Sequence, residues 1–217
     1  MKFTYVYTLI SSFLVTAFFS ASSSAFQNHT PYSAVTATAA THKVSDKSKN
    51  GTPLKLPNHF TAYVSESIGD GKLCVVGAAT DDDGLNQKPI AYLADTKGKQ
   101  AIWVAQLDLP PNTFQSRATH CNQHGGAVFV LLQSDTQSEQ SLSQTLLRVV
   151  KLDAVTGAVK AQRNVDVAAA YTTWVDEGEN HFQWQDDVLT ISGNYRRQSD
   201  QDEPTPFTTH LTNDLNL

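Results

Sequence analysis

The sequence predicts an all-β domain made of three imperfect four-stranded repeats, with an antiparallel β-sandwich as the alternative. Three observations carry that expectation. From Pro53 onward no long stretch has the apolar periodicity of a helix. Short β-branched and aromatic runs instead recur between Gly, Asp and Asn turns. Those runs are also self-similar at nearly constant spacing, the signature of a repeated supersecondary unit.

The second strand of each repeat is the clearest element. Leu73-Cys74-Val75-Val76 aligns with Val128-Phe129-Val130-Leu131 at an offset of 55, and these with Val188-Leu189-Thr190-Ile191 at an offset of 60. Gly71, Gly126 or Asp186 stands two places before each run, where a hairpin turn would enter the strand. The runs read as apolar on both faces, which suits strands packed between two neighbours. Residues 60–65, 116–121 and 181–185 precede them as inner strands. The third strands end at Leu93, Leu152 and Leu211, each five residues before Gly98, Gly157 or Asn216. Asn is the commonest residue other than Gly to tolerate positive φ, so Asn216 takes the place of a turn glycine. Outer fourth strands are residues 102–109 and a run ending at 165–167. The third copy reaches Leu217 before any such strand. Leu54-Lys55-Leu56-Pro57 with Phe60 resembles Leu107-Asp108-Leu109-Pro110 with Phe114, so the N-terminal segment would supply the missing strand and close a ring.

Leu152-Asp153-Ala154-Val155-Thr156-Gly157 is similar to the strand-turn segment of quinoprotein-type repeats, and four-stranded units of this kind resemble β-propeller blades. The resemblance implies shape rather than chemistry: blades around a pseudo-axis, with a homodimer completing the ring if three blades do not close alone.

Ahead of the repeats, Lys2, an apolar run from Tyr5 to Phe19 and then Ser23-Ser24-Ala25 read as a secretory signal peptide over residues 1–25. The run is shorter than the ~20 residues of a bilayer span, so no membrane span is expected after cleavage. Residues 26–52 are rich in Ser, Thr, Ala, Lys and Asn and read as a flexible leader, because they bury too little surface to offset ordering entropy. The repeat domain is residues 53–217, and the expected location is periplasmic or secreted. With 16 Lys plus Arg against 21 Asp plus Glu, net charge −5, no basic stripe is available for nucleic acid.

Cys74 and Cys121 are the only cysteines, and an exported chain with an even count reads as one disulfide. The alternative is buried free thiols, Cys74 standing where the other repeats have Phe129 and Leu189. His120, Cys121 and His124 are zinc-type donors at short spacing, but an oxidised Cys121 offers no thiolate, so no metal is assigned there. No nucleophile elbow, phosphate-cradling loop or His-Glu-x-x-His helix is present, so catalysis has no local motif behind it.

The loops between second and third strands are long and polar. One holds Asp81, Asp82 and Asp83, another Asp135 and Glu139, the last Arg196, Arg197, Asp200, Asp202 and Glu203. Blade-like packing would bring all three to one face, a place where loops on a rigid scaffold bind partners. Asp81-Asp82-Asp83-Gly84 also invites calcium, although the spacing is not that of an EF-hand and no cofactor is expected. Tyr171 and Trp174, in the connection between the second and third repeats, are the candidate exposed aromatics, whereas Trp103 and Trp184 lie in strand patterns. The functional expectation is an exported, non-enzymatic protein that engages another envelope or secreted protein through this loop face, as an inhibitor, immunity or assembly-accessory protein does. The alternative is a carbohydrate-active enzyme or lectin with its site among the acidic loops.

Overall fold

The structure, a computed structural model, describes residues 54–96, 100–136, 143–199 and 203–217. The expected signal peptide and the whole of the leader, residues 1–52, lie outside the described residues. Among the described residues twelve strands form three antiparallel sheets. The first is β1 (Phe60–Ser67), β2 (Lys72–Ala79), β3 (Lys88–Asp95) and β4 (Ala101–Gln106) in that order. The second is β5 (Gln115–His124), β6 (Ala127–Asp135), β7 (Thr145–Asp153) and β8 (Val159–Val165). In the third, β10 (Phe182–Gln185), β11 (Val188–Arg196) and β12 (Thr205–Thr212) lie in order, and β9 (Thr172–Trp174) pairs with the far end of β11. The predicted all-β, four-strands-per-repeat organisation is therefore present. Among the described residues no closed barrel forms, and the layered sandwich alternative is also compatible with these sheets.

Local sequence dictates the hairpins. The turn into β2 has positive φ at Asp70 and Gly71, the turn into β6 at Gly125 and Gly126, and the turn into β11 at Asp186 and Asp187. Positive φ at both central residues is what the tight, twist-matched hairpin turn requires. At the end of the third strands the expectation needs correcting: after β12 the positive φ of 58° falls on Leu215 and not on Asn216. Asn216 instead closes that turn, its carbonyl accepting from the Thr212 N–H at 2.8 Å and its own N–H donating to the Thr212 hydroxyl at 3.1 Å.

Strand alternation divides the core in two. On the second sheet Val128, Val130, Leu132, Val150 and Leu152 face Cys74, Val76, Leu93 and Trp103 of the first. The alternate residues Phe129, Leu131, Leu147 and Val149 face Phe182, Leu189, Ile191 and Leu211 of the third. This explains why β6 is buried at almost every position. β11 differs from the expected two-faced burial, because its pattern alternates and only Leu189 and Ile191 of its predicted run are fully buried.

The N-terminal segment also departs from expectation. Leu54 and Leu56 do not pair with β12; with Phe60 and Tyr92 they cover Ala79, Ile90 and Val104 on the outer face of the first sheet. An alternating Leu-x-Leu pattern satisfies a strand or a covering segment equally, and here an exposed apolar sheet face was available to bury.

Candidate functional site

All three inner strands depart from regular pairing at the same level. In β1 the register slips between Ala62 and Val64, leaving Tyr63 as an extra residue. In β5 it slips between Ala118 and His120, leaving Thr119. Ala62 pairs with Gly77 and Ala118 with Leu132, and the 55-residue offset of the second strands makes Gly77 and Leu132 equivalent. In the third sheet the interruption is larger. β9 ends with Trp174 opposite Asn194 and β10 resumes with Phe182 opposite Ile191, so residues 175–181 leave the sheet. A bulge bends its strand and re-aims side chains, which is why such irregularities gather at sites. Glycines on the central strands allow the close approach: a Cβ on Gly77 would collide with the Thr61 carbonyl oxygen, and one on Gly193 with that of Trp174.

The three irregularities converge on a cavity of about 620 Å³, into which Tyr63, Thr119 and Val175 all contribute. Gln87, at the base of the loop after β2, and Thr145, at the start of β7, are part of the same wall. The cavity therefore lies toward the end of the sheets where the second strands finish and the third strands begin.

Its charged anchor is Asp135. Arg117 Nη1 and the Gln115 side-chain amide donate to Oδ2 at 2.7 and 2.9 Å, and the Thr145 hydroxyl donates to Oδ1 at 2.8 Å. Burial pushes the Asp135 carboxyl up, but those three donors and the Arg117 charge outweigh it, and its pKa lies below the usual carboxylate value. Gln133, 4% exposed, is a second fixed group: its Nε2 donates to the Val175 carbonyl at 2.8 Å, and its Oε1 accepts from the Val175 N–H at 3.3 Å. One side chain thus satisfies both main-chain groups of a residue that has left its sheet.

His120 stands between this cavity and a smaller one of about 130 Å³ lined by Glu66, Asn122 and Phe182. The ring is 5% exposed, its Nδ1 pairs with the Thr119 hydroxyl at 3.1 Å, and its Nε2 has no hydrogen-bond partner. Burial holds its pKa below the ordinary histidine value, the backbone at Asp176 opposing and the His181 charge assisting. The imidazole is therefore neutral near pH 7.

The predicted site residues are divided. Trp174, half-buried, lines the cavity, and the Arg196 guanidinium lies 5.8 Å from its ring centroid. Tyr171 is close by in sequence, its N–H donating to the Arg196 carbonyl at 2.7 Å. Arg197 lies over the Tyr195 ring and donates to its hydroxyl at 3.3 Å. Of the three aspartates of the first loop, Asp81 lines a separate cavity of about 490 Å³ with Pro57, Asn86 and Phe114. There Asp81 closes its own loop, accepting from the Leu85 N–H at 2.7 Å and the Asn86 amide at 2.5 Å, while Asp82 meets His59 at 3.2 Å and Asp83 is exposed. Glu203 is exposed ahead of β12, and Asp200 and Asp202 lie outside the described residues.

Cys74 and Cys121 form a disulfide, Cα atoms 6.5 Å apart, joining β2 to β5. His124, considered for zinc, stacks on Trp184 at 4.2 Å and meets Asp187 at 2.9 Å. Among the described residues no group of three or more His, Cys, Asp or Glu side chains is placed to hold a metal ion, and no helix is long and apolar enough to cross a membrane. The sequence reading missed Gln115, Arg117, Thr119 and Gln133. Their signal was present: polar residues at every second position of an inner strand, and a glutamine closing an otherwise apolar run.

No protein-family model and no curated protein matches the chain. Among solved structures, a provisionally assigned conserved lipoprotein from Clostridium novyi NT is similar at 14% identity and a TM-score of 0.46, over 79% of this chain and 95% of that one.

Proposed function

We propose that this chain is an exported, non-catalytic binding protein that engages another envelope or secreted protein through the loop-bearing end of its sheets, in the manner of an inhibitor, immunity or assembly-accessory protein. The observation that carries this is the cavity itself. Irregularities in three inner strands, repeated at one level, open it toward the end of the sheets where the second strands finish, with Asp176 and Glu177 exposed at its edge. Export is supported by the Cys74–Cys121 disulfide, a bond that persists in oxidising compartments. The same reading takes the three repeats as blade-like units, because their inner strands meet at one place. A lectin-type alternative is favoured by the polar lining of the cavity and the half-exposed Trp174.

The test is affinity capture from envelope and secreted fractions with the chain, with Trp174→Ala, and with Val155→Ser as the control, Val155 being an exposed turn residue after β7. A stoichiometric protein captured by the parent and the control but lost with Trp174→Ala is the expected result. Failure to capture any saturable protein partner counts against the reading.

A further inference from the structure

We infer that the 620 Å³ cavity is a binding site for a neutral, hydroxyl-rich ligand, a short oligosaccharide, recognised by hydrogen bonds from Gln115 and Thr119 and by stacking on Trp174. The inference rests on the reading that the loop-bearing end is the binding end, and it adds a saccharide held in the cavity to the protein which that end engages.

Size and shape come first. Small-molecule sites occupy roughly 300–1,000 Å³ and are set by a few fixed polar groups, so this cavity suits a ligand larger than a single side chain. Its polar groups are held in place before any ligand arrives. Arg117 and Gln115 are oriented by Asp135, Gln133 by Val175, and the Tyr63 hydroxyl by the Gln87 amide at 3.1 Å. Preorganisation of this kind lowers the ordering cost of binding. Thr119, the extra residue of the β5 bulge, is held in the same way: its hydroxyl pairs with His120 Nδ1 at 3.1 Å and accepts from the Gln133 amide at 3.2 Å. An irregularity repeated in the inner strands thus ends in fixed polar groups on one cavity wall.

Charge then selects among ligand classes. Arg117 is already committed to Asp135, while Asp176 and Glu177 are acidic and exposed at the edge. An anionic ligand meets more negative than available positive charge. A cationic ligand would want the Trp174 face, but the Arg196 guanidinium already lies 5.8 Å from that ring and would repel it. A purely apolar ligand would strand the amides and the hydroxyls. A sugar ring has what remains: an apolar C–H face for the indole and hydroxyls that both donate and accept, matching amide and hydroxyl groups.

The probes are N,N′-diacetylchitobiose, cellobiose and maltotriose as neutral sugars, deacetylated chitobiose as the cationic comparator and digalacturonate as the anionic one. They are titrated against the whole chain by calorimetry and tryptophan fluorescence. Saturable binding of at least one neutral sugar is expected, at least tenfold tighter than its charged comparators. Trp174→Ala and Gln115→Ala should each weaken it about tenfold or more, Trp174→Phe much less, and Val155→Ser not at all. Trp174→Phe guards against loss by misfolding, since it keeps a ring in place. Binding of none of the neutral sugars, tighter binding of the cationic one, or binding indifferent to Trp174→Ala overturns the assignment. A protein partner captured through Trp174 while every sugar fails overturns the saccharide assignment alone, whereas failure of both removes the loop-end reading as well.

Discussion

Trp103 packs directly on Gly157. A Cβ at Gly157 would come within 2.7 Å of the ring carbons Cδ2 and Cε3, and the Trp103 indole N–H donates to the nearby Ala154 carbonyl at 3.1 Å. The outer strand of the first sheet is thereby fixed to the turn between β7 and β8 of the second. Gly157 is under two constraints, since its φ is also +75°. A left-handed residue with a Cβ costs about 1–2 kcal/mol, and overpacking a tight contact costs about 1–3 more. Gly157→Ala should therefore destabilise the chain by about 3 kcal/mol, read as a lower urea midpoint. A change within about 0.5 kcal/mol, the size of an ordinary surface substitution, would show that the contact carries no weight.

The disulfide joins the same two sheets at another point, with Cys74 and Cys121 both buried between them. Closing a loop of this length confines the unfolded chain, which is worth roughly 4 kcal/mol on chain-entropy grounds. Reduction should lower Tm by about 10 °C, at the ~2–4 °C per kcal/mol typical of a chain this size. Calorimetry with and without a reductant checks this, and an unchanged Tm under full reduction contradicts it.

The repeat was legible in the sequence because it is written in turn residues and apolar runs. Gly71, Gly126 and Asp186 all have positive φ, as their places before the runs require. What was not legible depends on tertiary competition. Nothing local distinguishes Leu54 and Leu56 as strand residues from the covering role they take against Val104 and Ile90. Leu215 takes the left-handed position over Asn216 while its side chain is buried in the core formed with the third sheet, a gain no turn propensity encodes. The site was hidden for a related reason. A bulge adds one residue to a strand without changing its composition, so Tyr63 and Thr119 look like ordinary strand positions. The acidic loops were conspicuous in composition, yet Asp81 spends its carboxylate on its own turn.

Acid should weaken the fold in two separable windows. Asp135 and Asp153 both have folded pKa values below that of an ordinary aspartate, that of Asp153 lowered to about 2, chiefly by the Thr156 backbone and hydroxyl. A depressed carboxylate contributes stability that is present above the unfolded pKa and lost as pH falls through the folded one, so their contribution fades below about pH 4. His120 acts earlier. Its folded pKa is lowered from 6.5, so below that value the unfolded chain binds a proton that the folded chain resists, and stability falls. Urea midpoints across pH should show a decline beginning near pH 6.5, absent in His120→Gln, and a steeper one below pH 4, reduced in Asp153→Asn. If His120→Gln keeps the upper decline, another group is responsible.

Gln133 tests whether the excursion after β9 is held by one side chain. Its amide pairs with both the N–H and the carbonyl of Val175, and Val175 is 4% exposed, so removing the amide leaves two buried main-chain groups unpaired. Each such group costs about 1–3 kcal/mol if it stays buried and unpaired. The segment is expected to release and seek water rather than carry that cost. Gln133→Leu keeps the volume and loses the bonds. It should speed amide exchange at residues 174–178 by at least tenfold and weaken any ligand bound against Trp174, while exchange in β6 and β7 changes little. Gln133→Glu should give the same release, since a carboxylate can accept the Val175 N–H but cannot donate to its carbonyl. Equal protection of residues 174–178 in parent and variants would mean that packing of Val175 in the core, and not the amide, fixes this wall of the cavity.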